Sequence, residues 1–258
     1  MPKIHPSALV DARAELAEGV EIGPFAVIGP DVRIGTGSVV GAGVQIEGVT
    51  RIGSNNRFHP HSHIGCAPQD KKYKGEPTAL DIGDGNTFFQ SMTISVGTVQ
   101  DKGVTRIGDN NWFMAYAHIG HDCTVGNNTI FANAVTLGGH VDVADWAILG
   151  GLSAIHQFCS IGAHAMAGGG SIIVQDLPPY VICEGNRAIA RGINTEGLKR
   201  RGFSAEAISR VKQAYRQLYR LGLTYDDARA RIEADAAGAP ELQAFVDFFA
   251  VSQRGILR

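Results

Sequence analysis

"EIGPFAVIGPDVRIGTGSVVGAGVQIEG", residues 21–48, decides the fold. A large aliphatic side chain returns at every sixth position: Ile22, Ile28, Ile34, Val40 and Ile46. Glycine follows four of them, as Gly23, Gly29, Gly35 and Gly41. Outward from this stretch the same clock runs back through Leu16 and Val10 to Ile4, and forward through Ile52 and Phe58 to Ile64. It pauses at "DKKYKGEPTAL", residues 70–80, and returns at Ile82, Phe88 and Ile94. It pauses again at "QDKGVTR", residues 100–106, and resumes one residue out of register at Ile107. From there it passes through Phe113, Ile119, Val125, Phe131, Leu137, Val143, Leu149, Ile155, Ile161 and Ala167 to Ile173.

A six-residue period fits neither a helix nor a simple alternating strand. It fits a parallel β-helix of hexapeptides, each a short strand and a turn, with three making a triangular coil of about eighteen residues. The aliphatic side chain points inward and stacks on its equivalents one coil away, at about 4.8 Å. The glycine after it is expected to permit the tight corner. A β-sandwich with coincidental spacing would not sustain runs of this length.

The two pauses read as loops extruded near 70–80 and 100–106, and loops on a rigid scaffold are where function concentrates. The repeat ends near "QDLPPYVICEGN", where Pro178 and Pro179 cannot continue a strand ladder. Residues 1–190 therefore read as the β-helix and 191–258 as a helical domain. In the latter, Ser204 caps a helix with Ile208, Val211, Tyr215 and Leu218 on one face. A second helix is expected near 225–236, and a third after Pro240 with Leu242, Phe245, Phe248 and Phe249 inward. Such a domain covers strand edges that the prism would otherwise expose.

Composition narrows the function. The 258 residues carry a net charge of −2, which gives no signal for nucleic acid. The chain has 33 glycines, and most of them are spread along the repeat, as turns require. Cys66, Cys123, Cys159 and Cys183 form no C-x-x-C pair and read as free thiols in a reducing compartment. "MPKIHPSALV" lacks an apolar signal core, and no stretch suits a spanning helix, so a cytoplasmic protein without membrane insertion is expected.

All nine histidines lie in the repeat. The stretch "AHIGHDCTVG", residues 117–126, holds His118, His121 and Asp122. Steps of eighteen from 121 reach Gly139 and Gln157, so these form a column, flanked by His140 and His156. "HPHSH" alternates His59, His61 and His63, but residues four apart on a strand are about 13 Å apart and cannot alone close a zinc shell near 2.1 Å. No resident metal or cofactor is expected. Proton transfer suits His121 better: a neutral imidazole accepts a hydroxyl proton near pH 7, and Asp122 can fix its tautomer if a corner turns the two side chains together. The Gly139 N–H, one coil up, can face an oxyanion. Cys123 reads as a buried structural thiol rather than a nucleophile.

"AHIGHDCTVG", "QDKKYKGEPT", "IHQFCSIGAH", "QDLPPYVI" and "NTEGLKRRGF" together closely resemble the UDP-N-acetylglucosamine 3-O-acyltransferases across essentially the whole chain. The resemblance implies a left-handed β-helix and a homotrimer with sites between neighbouring subunits. It implies transfer of an (R)-3-hydroxyacyl group from acyl carrier protein to the 3-hydroxyl of UDP-N-acetylglucosamine, the first step of lipid A synthesis. Carried over by motif, His121 is the general base, Asp122 its orienting acid and Gly139 the oxyanion donor. Asp70 and Lys72 match sugar-binding positions; His118, His140, His156 and Gln157 line the pocket; Asn194, Glu196, Arg200 and Arg201 match nucleotide-binding positions. Gly169 falls where the family limits acyl length, and a glycine there leaves room for a longer tail. Ser95, Val96 and Arg187 depart from the family's common His, Arg and His. Lys212, Arg216 and Arg220 form a basic stripe suited to an acidic carrier protein. The alternatives are a related hexapeptide N-acyl or acetyl-CoA-dependent transferase, or a metal-dependent carbonic anhydrase of the same fold.

Overall fold

Each hexapeptide forms a strand of two to four residues, and three strands in succession belong to three different sheets. The computed structural model describes residues 1–258, wound as a left-handed parallel β-helix. Sheet I has 11 strands, beginning with Lys3–Ile4; sheet II has 9, beginning with Leu9–Val10; sheet III has 8, beginning with Glu15–Leu16. Registers step by eighteen: Ile4 pairs with Ile22, Ile119 with Leu137 and Val125 with Val143. The inward residues fill one continuous core. At its centre Phe58, Phe88, Phe113 and Phe131 form an aromatic column with successive centroid separations of 4.6, 5.1 and 5.0 Å.

The glycines after the inward residues do not serve the corners as expected. Gly23, Gly29, Gly35 and Gly41 all have ordinary φ. At Gly35 and Gly41 glycine is needed because the coils touch: a Cβ on Gly35 would lie 2.6 Å from the Gly53 backbone, and one on Gly41 2.7 Å from the Phe58 carbonyl. The left-handed corner comes two residues later, and side chains occupy it: Asp122 at φ 58°, His140 at 63°, Trp146 at 63° and His164 at 59°. Such conformations cost about 1–2 kcal/mol each. Hydrogen bonds to the coil below offset this, as from His140 N–H to the His121 carbonyl (2.9 Å).

Strand Ala79–Ile82 ends the first extruded loop, and strand Val104–Ile107 ends the second at Gly103 rather than 106. At the top, strand Ile189–Ile193 runs across position 190 and pairs antiparallel with Val181–Glu184, closing sheet I. Four helices follow: α1 (Thr195–Arg200), α2 (Ala205–Tyr219), α3 (Tyr225–Ala236) and α4 (Gln243–Val251), with a 3-10 turn at Pro240–Leu242 before α4. Ser204 caps α2 and Thr224 caps α3. Helix α1 was not expected; at six residues including Gly197 it has no readable apolar face. The helices pack around Val211, Leu218, Ile232, Phe245 and Phe249. No helix is long and apolar enough to cross a membrane.

Candidate active site

One edge of the prism, where sheet II turns into sheet III, carries the unusual features. Both extruded loops leave there, between strands His63–Cys66 and Ala79–Ile82 and between Thr93–Ser95 and Val104–Ile107. The turns holding His121–Asp122, Gly139–His140 and His156–Phe158 stack above them on the same edge.

The left-handed conformation of Asp122 swings its side chain back beside its neighbour, so His121 Nδ1 and Asp122 Oδ2 meet at 2.9 Å. Asp122 is fully buried, while the His121 side chain keeps 16% exposure. The second loop wraps the carboxylate. Thr98 donates its N–H at 3.0 and 3.1 Å and its hydroxyl at 2.6 Å, and Gly103 donates its N–H at 3.1 Å. Burial pushes the Asp122 pKa up, but these donors, His121 and the nearby His140 outweigh it, and the group lies below the ordinary aspartate value. A carboxylate held ionised on Nδ1 keeps the proton there and leaves Nε2 as the acceptor.

The imidazole of His121 lies face-on over Gly139: a Cβ there would lie 2.6 Å from Cε1, 2.7 Å from Nε2 and 3.2 Å from Cδ2, so only glycine admits the ring in this position. The Gly139 N–H has no acceptor within the chain. His140 packs edge-on against His121 at 4.8 Å, stacks on Phe158 at 4.3 Å, and holds Asp101 of the second loop through Nδ1 at 2.6 Å. His118 Nδ1 meets the Thr93 hydroxyl at 2.7 Å, and burial, then the charge of His121, lowers its pKa. His156 and Gln157 are exposed one coil above Gly139, with His156 Nδ1 3.0 Å from the Gln157 carbonyl.

Of the remaining expected residues, Asp70 and Lys72 lie on this edge in the first extruded loop, and the others lie elsewhere. Asp70 caps its own turn, accepting from Lys72 N–H at 3.0 Å, and the Lys72 side chain is exposed. Asn194 is buried with its amide occupied: Oδ1 accepts from Gly197 N–H at 3.1 Å and Nδ2 donates to the His164 carbonyl at 3.1 Å. Glu196 pairs with Lys199 at 2.9 Å, and Arg200 is exposed. Arg201 lies on the next edge, between sheets III and I, over Trp146 at 5.2 Å with a bond to its carbonyl at 3.0 Å. Gly169 lies on the third edge, and a Cβ there would meet only the Gly151 carbonyl, at 3.4 Å. Ser95 and Val96 are buried behind the second loop.

Sequence reading missed Thr98, Asp101 and Gly103. "QDKGVTR" sits one coil below "AHIGHDCTVG", so its position was readable; its contacts were not, because an extruded loop follows no repeat. Cys123 is buried, with burial raising its pKa to about 12, so it stays a thiol at neutral pH. His121, Asp122 and His140 offer ligand atoms within 4.8 Å of one another. A metal ion there would have to displace the donors already on Asp122. His59 stacks on Phe89 at 4.5 Å.

Comparison with known proteins agrees with this architecture. The bacterial transferase hexapeptide model matches residues 13–48 and 105–139, and the UDP N-acetylglucosamine O-acyltransferase domain 2 model matches residues 176–257. The acyl–acyl-carrier-protein–UDP-N-acetylglucosamine O-acyltransferase of Thiobacillus denitrificans is 54% identical over 100% of both chains, and that of Halorhodospira halophila 53% over 100% of both. The solved UDP-N-acetylglucosamine acyltransferase of Francisella novicida superposes with TM-score 0.96 at 40% identity, covering 99% of this chain and 94% of that one. That of Moraxella catarrhalis gives 0.95 at 41%, covering 99% of both. Hexapeptide prism, polar edge and helical tail together place this chain in the family of acyl–acyl-carrier-protein–UDP-N-acetylglucosamine O-acyltransferases.

Proposed function

We propose that the protein transfers an (R)-3-hydroxyacyl chain from acyl carrier protein to the 3-hydroxyl of UDP-N-acetylglucosamine, the opening step of lipid A synthesis. One observation carries the mechanism: His121 is held through Nδ1 by a buried, four-fold clamped Asp122, with its ring seated against Gly139, where only glycine leaves it room. Nε2 takes the proton of the sugar hydroxyl as that oxygen attacks the thioester carbonyl. The Gly139 N–H donates to the oxyanion of the tetrahedral intermediate. The imidazolium, stabilised by Asp122, gives up its proton as the carrier thiol departs. No side chain forms a covalent intermediate.

A homotrimer completes the site in this reading. The base lies on one edge of the prism, while Arg201 and Gly169 lie on the other two. Threefold packing sets different edges of neighbouring subunits opposite each other. There Arg200, Arg201 and Glu196 hold the nucleotide, Asp70 and Lys72 the sugar, and His118, His140, His156 and Gln157 line the cleft. Gly169 leaves room for a long acyl chain. Lys212 and Arg216 on α2 and Arg220 at its C-cap are exposed and dock the acidic carrier. The protein works in the cytoplasm.

The test is acyl transfer to UDP-N-acetylglucosamine from 3-hydroxyacyl carrier proteins of graded length, for wild type and His121→Ala. Loss of the base is expected to slow transfer on the order of 10²–10⁴-fold. Transfer that survives His121→Ala would leave the family intact and discard this mechanism.

A further inference from the structure

The second extruded loop touches two histidines, and the mechanism above uses only one of them. Thr98 and Gly103 serve His121 through Asp122. Between them in sequence, Asp101 reaches the next coil up and meets His140 Nδ1 at 2.6 Å. The edge therefore carries a second imidazole–carboxylate pair, its ring 4.8 Å from that of His121.

Asp101 is held in place. Its N–H and that of Gly103 both donate to the Thr98 carbonyl, at 3.3 and 3.0 Å, which closes the loop into a tight turn. Lys102, the next residue, reaches across to sheet III. Its Nζ donates to Asp142 Oδ1 at 2.6 Å and to the Thr124 hydroxyl at 3.1 Å. These ties keep the Asp101 carboxylate against the prism although its side chain is 40% exposed.

His140 has little freedom of its own. Its ring stacks on Phe158 at 4.3 Å, lies edge-on to His121, and is 12% exposed. Such packing fixes the plane of the ring. It does not fix which edge faces the cleft or which nitrogen carries the proton, because the flipped ring has the same shape. Carboxylates decide both. Asp101 Oδ2 lies 2.6 Å from Nδ1, and Asp122 Oδ2 lies 4.0 Å from it, so the proton stays on Nδ1. Nε2 makes no hydrogen bond within the chain and is not buried. With Nδ1 protonated, it is an acceptor.

We infer that Asp101 is a positioning residue for the transfer: acting through His140, it presents Nε2 as a fixed acceptor to a hydroxyl or amide N–H of the sugar nucleotide. The inference rests on the acceptor substrate proposed above. Geometry selects the sugar rather than the acyl donor. His121 takes its proton from a sugar hydroxyl, and the His140 ring is its immediate neighbour, so the next donor within reach belongs to the same pyranose. The loop thus divides its work. Thr98 and Gly103 steady the base, and the tip at Asp101 sets the group that receives the sugar.

The experiment combines steady-state transfer with calorimetric binding of UDP-N-acetylglucosamine. It uses the full-length wild type, Asp101→Asn, Asp101→Glu, His140→Gln and the Asp101→Asn/His140→Gln double variant. Asp101→Asn keeps the shape and removes the charge. It is expected to raise Kd and KM for the sugar nucleotide about 5- to 30-fold, the range of a charged hydrogen bond discounted for partial exposure, and to leave kcat little changed. Asp101→Glu, which keeps the carboxylate, restores part of the loss. With His140→Gln already present, Asp101→Asn adds nothing, because the group it acts through is gone. Unchanged sugar binding in Asp101→Asn overturns the inference. So does an undiminished further loss in the His140→Gln background, which would make Asp101 a brace of the loop alone. Wild type that binds no UDP-N-acetylglucosamine would overturn the proposed function and this inference with it, whereas wild type and Asp101→Asn that bind it equally overturn the inference only.

Discussion

Gly139→Ala puts a methyl group where the imidazole of His121 now stands. The added Cβ would lie 2.6 Å from Cε1 and 2.7 Å from Nε2, about 1 Å inside ordinary carbon contact of roughly 3.5–4.0 Å. Gly139 has ordinary φ, so its backbone accepts alanine and the ring must yield. To do so the ring either breaks its 2.9 Å bond to Asp122 or keeps it and swings away from its present position. Either outcome disables the base, which is worth on the order of 10²–10⁴ in rate, or about 3–5 kcal/mol of barrier. Steady-state transfer should therefore show kcat reduced by that order, with KM for the sugar nucleotide little changed. Gly138→Ala is the control: its Cβ would meet the Gln157 backbone nitrogen at 2.8 Å, a collision between coils that side-chain motion cannot relieve. That variant should lose thermal stability first. A Gly139→Ala enzyme with near wild-type kcat would refute the placement of the base.

Three further outcomes follow from the geometry. Thr98→Val removes the 2.6 Å hydroxyl donor from Asp122; a charged hydrogen bond of this kind is worth about 1.5–3 kcal/mol, and the acid limb of the pH–rate profile should move upward, so superimposable profiles would count against the clamp. Arg216→Glu on the exposed face of α2 should raise KM for acyl carrier protein in a salt-dependent way and leave KM for the sugar nucleotide alone; an unchanged carrier KM would remove α2 as the dock. Burial, then the charge of Arg201, lowers the pKa of His164 to about 4. The unfolded chain, titrating near 6.5, then binds more protons than the folded one between these values. The contribution is fully present above pH 6.5 and is lost as pH falls toward 4. Urea midpoints should show a shallower fall across this window for His164→Gln than for wild type.

The six-residue clock made the prism readable because the inward position tolerates almost nothing but a large apolar side chain. Even the glycines were visible, though for another reason than corners: close approach of successive coils selects them, and the left-handed turn tolerates Asp, His, Trp and Phe because the coil below supplies its hydrogen bond. The stacking of His121, Gly139 and Gln157 followed from counting by eighteen. What counting could not reach lies off the repeat. The Thr98 and Gly103 clamp sits in an extruded loop, and so does the Asp101 carboxylate on His140. Helix α1 was hidden by its shortness, and the cap on it consumed Asn194, a residue read from motif as a nucleotide contact.

The extruded loops also set how such a protein can be lengthened. Within the prism, an insertion of one hexapeptide turns everything above it to the next edge, and only a whole coil preserves alignment. The height of any group on this edge above His121 is thus graduated in steps of about 4.8 Å. Departures from that scale must be absorbed sideways. Ile94 and Ile107 are thirteen positions apart where the repeat allows six, and the seven surplus residues bulge outward to grip Asp122 and His140. An irregularity that the scaffold could not store in its height thus became the brace of the His121–Asp122 pair.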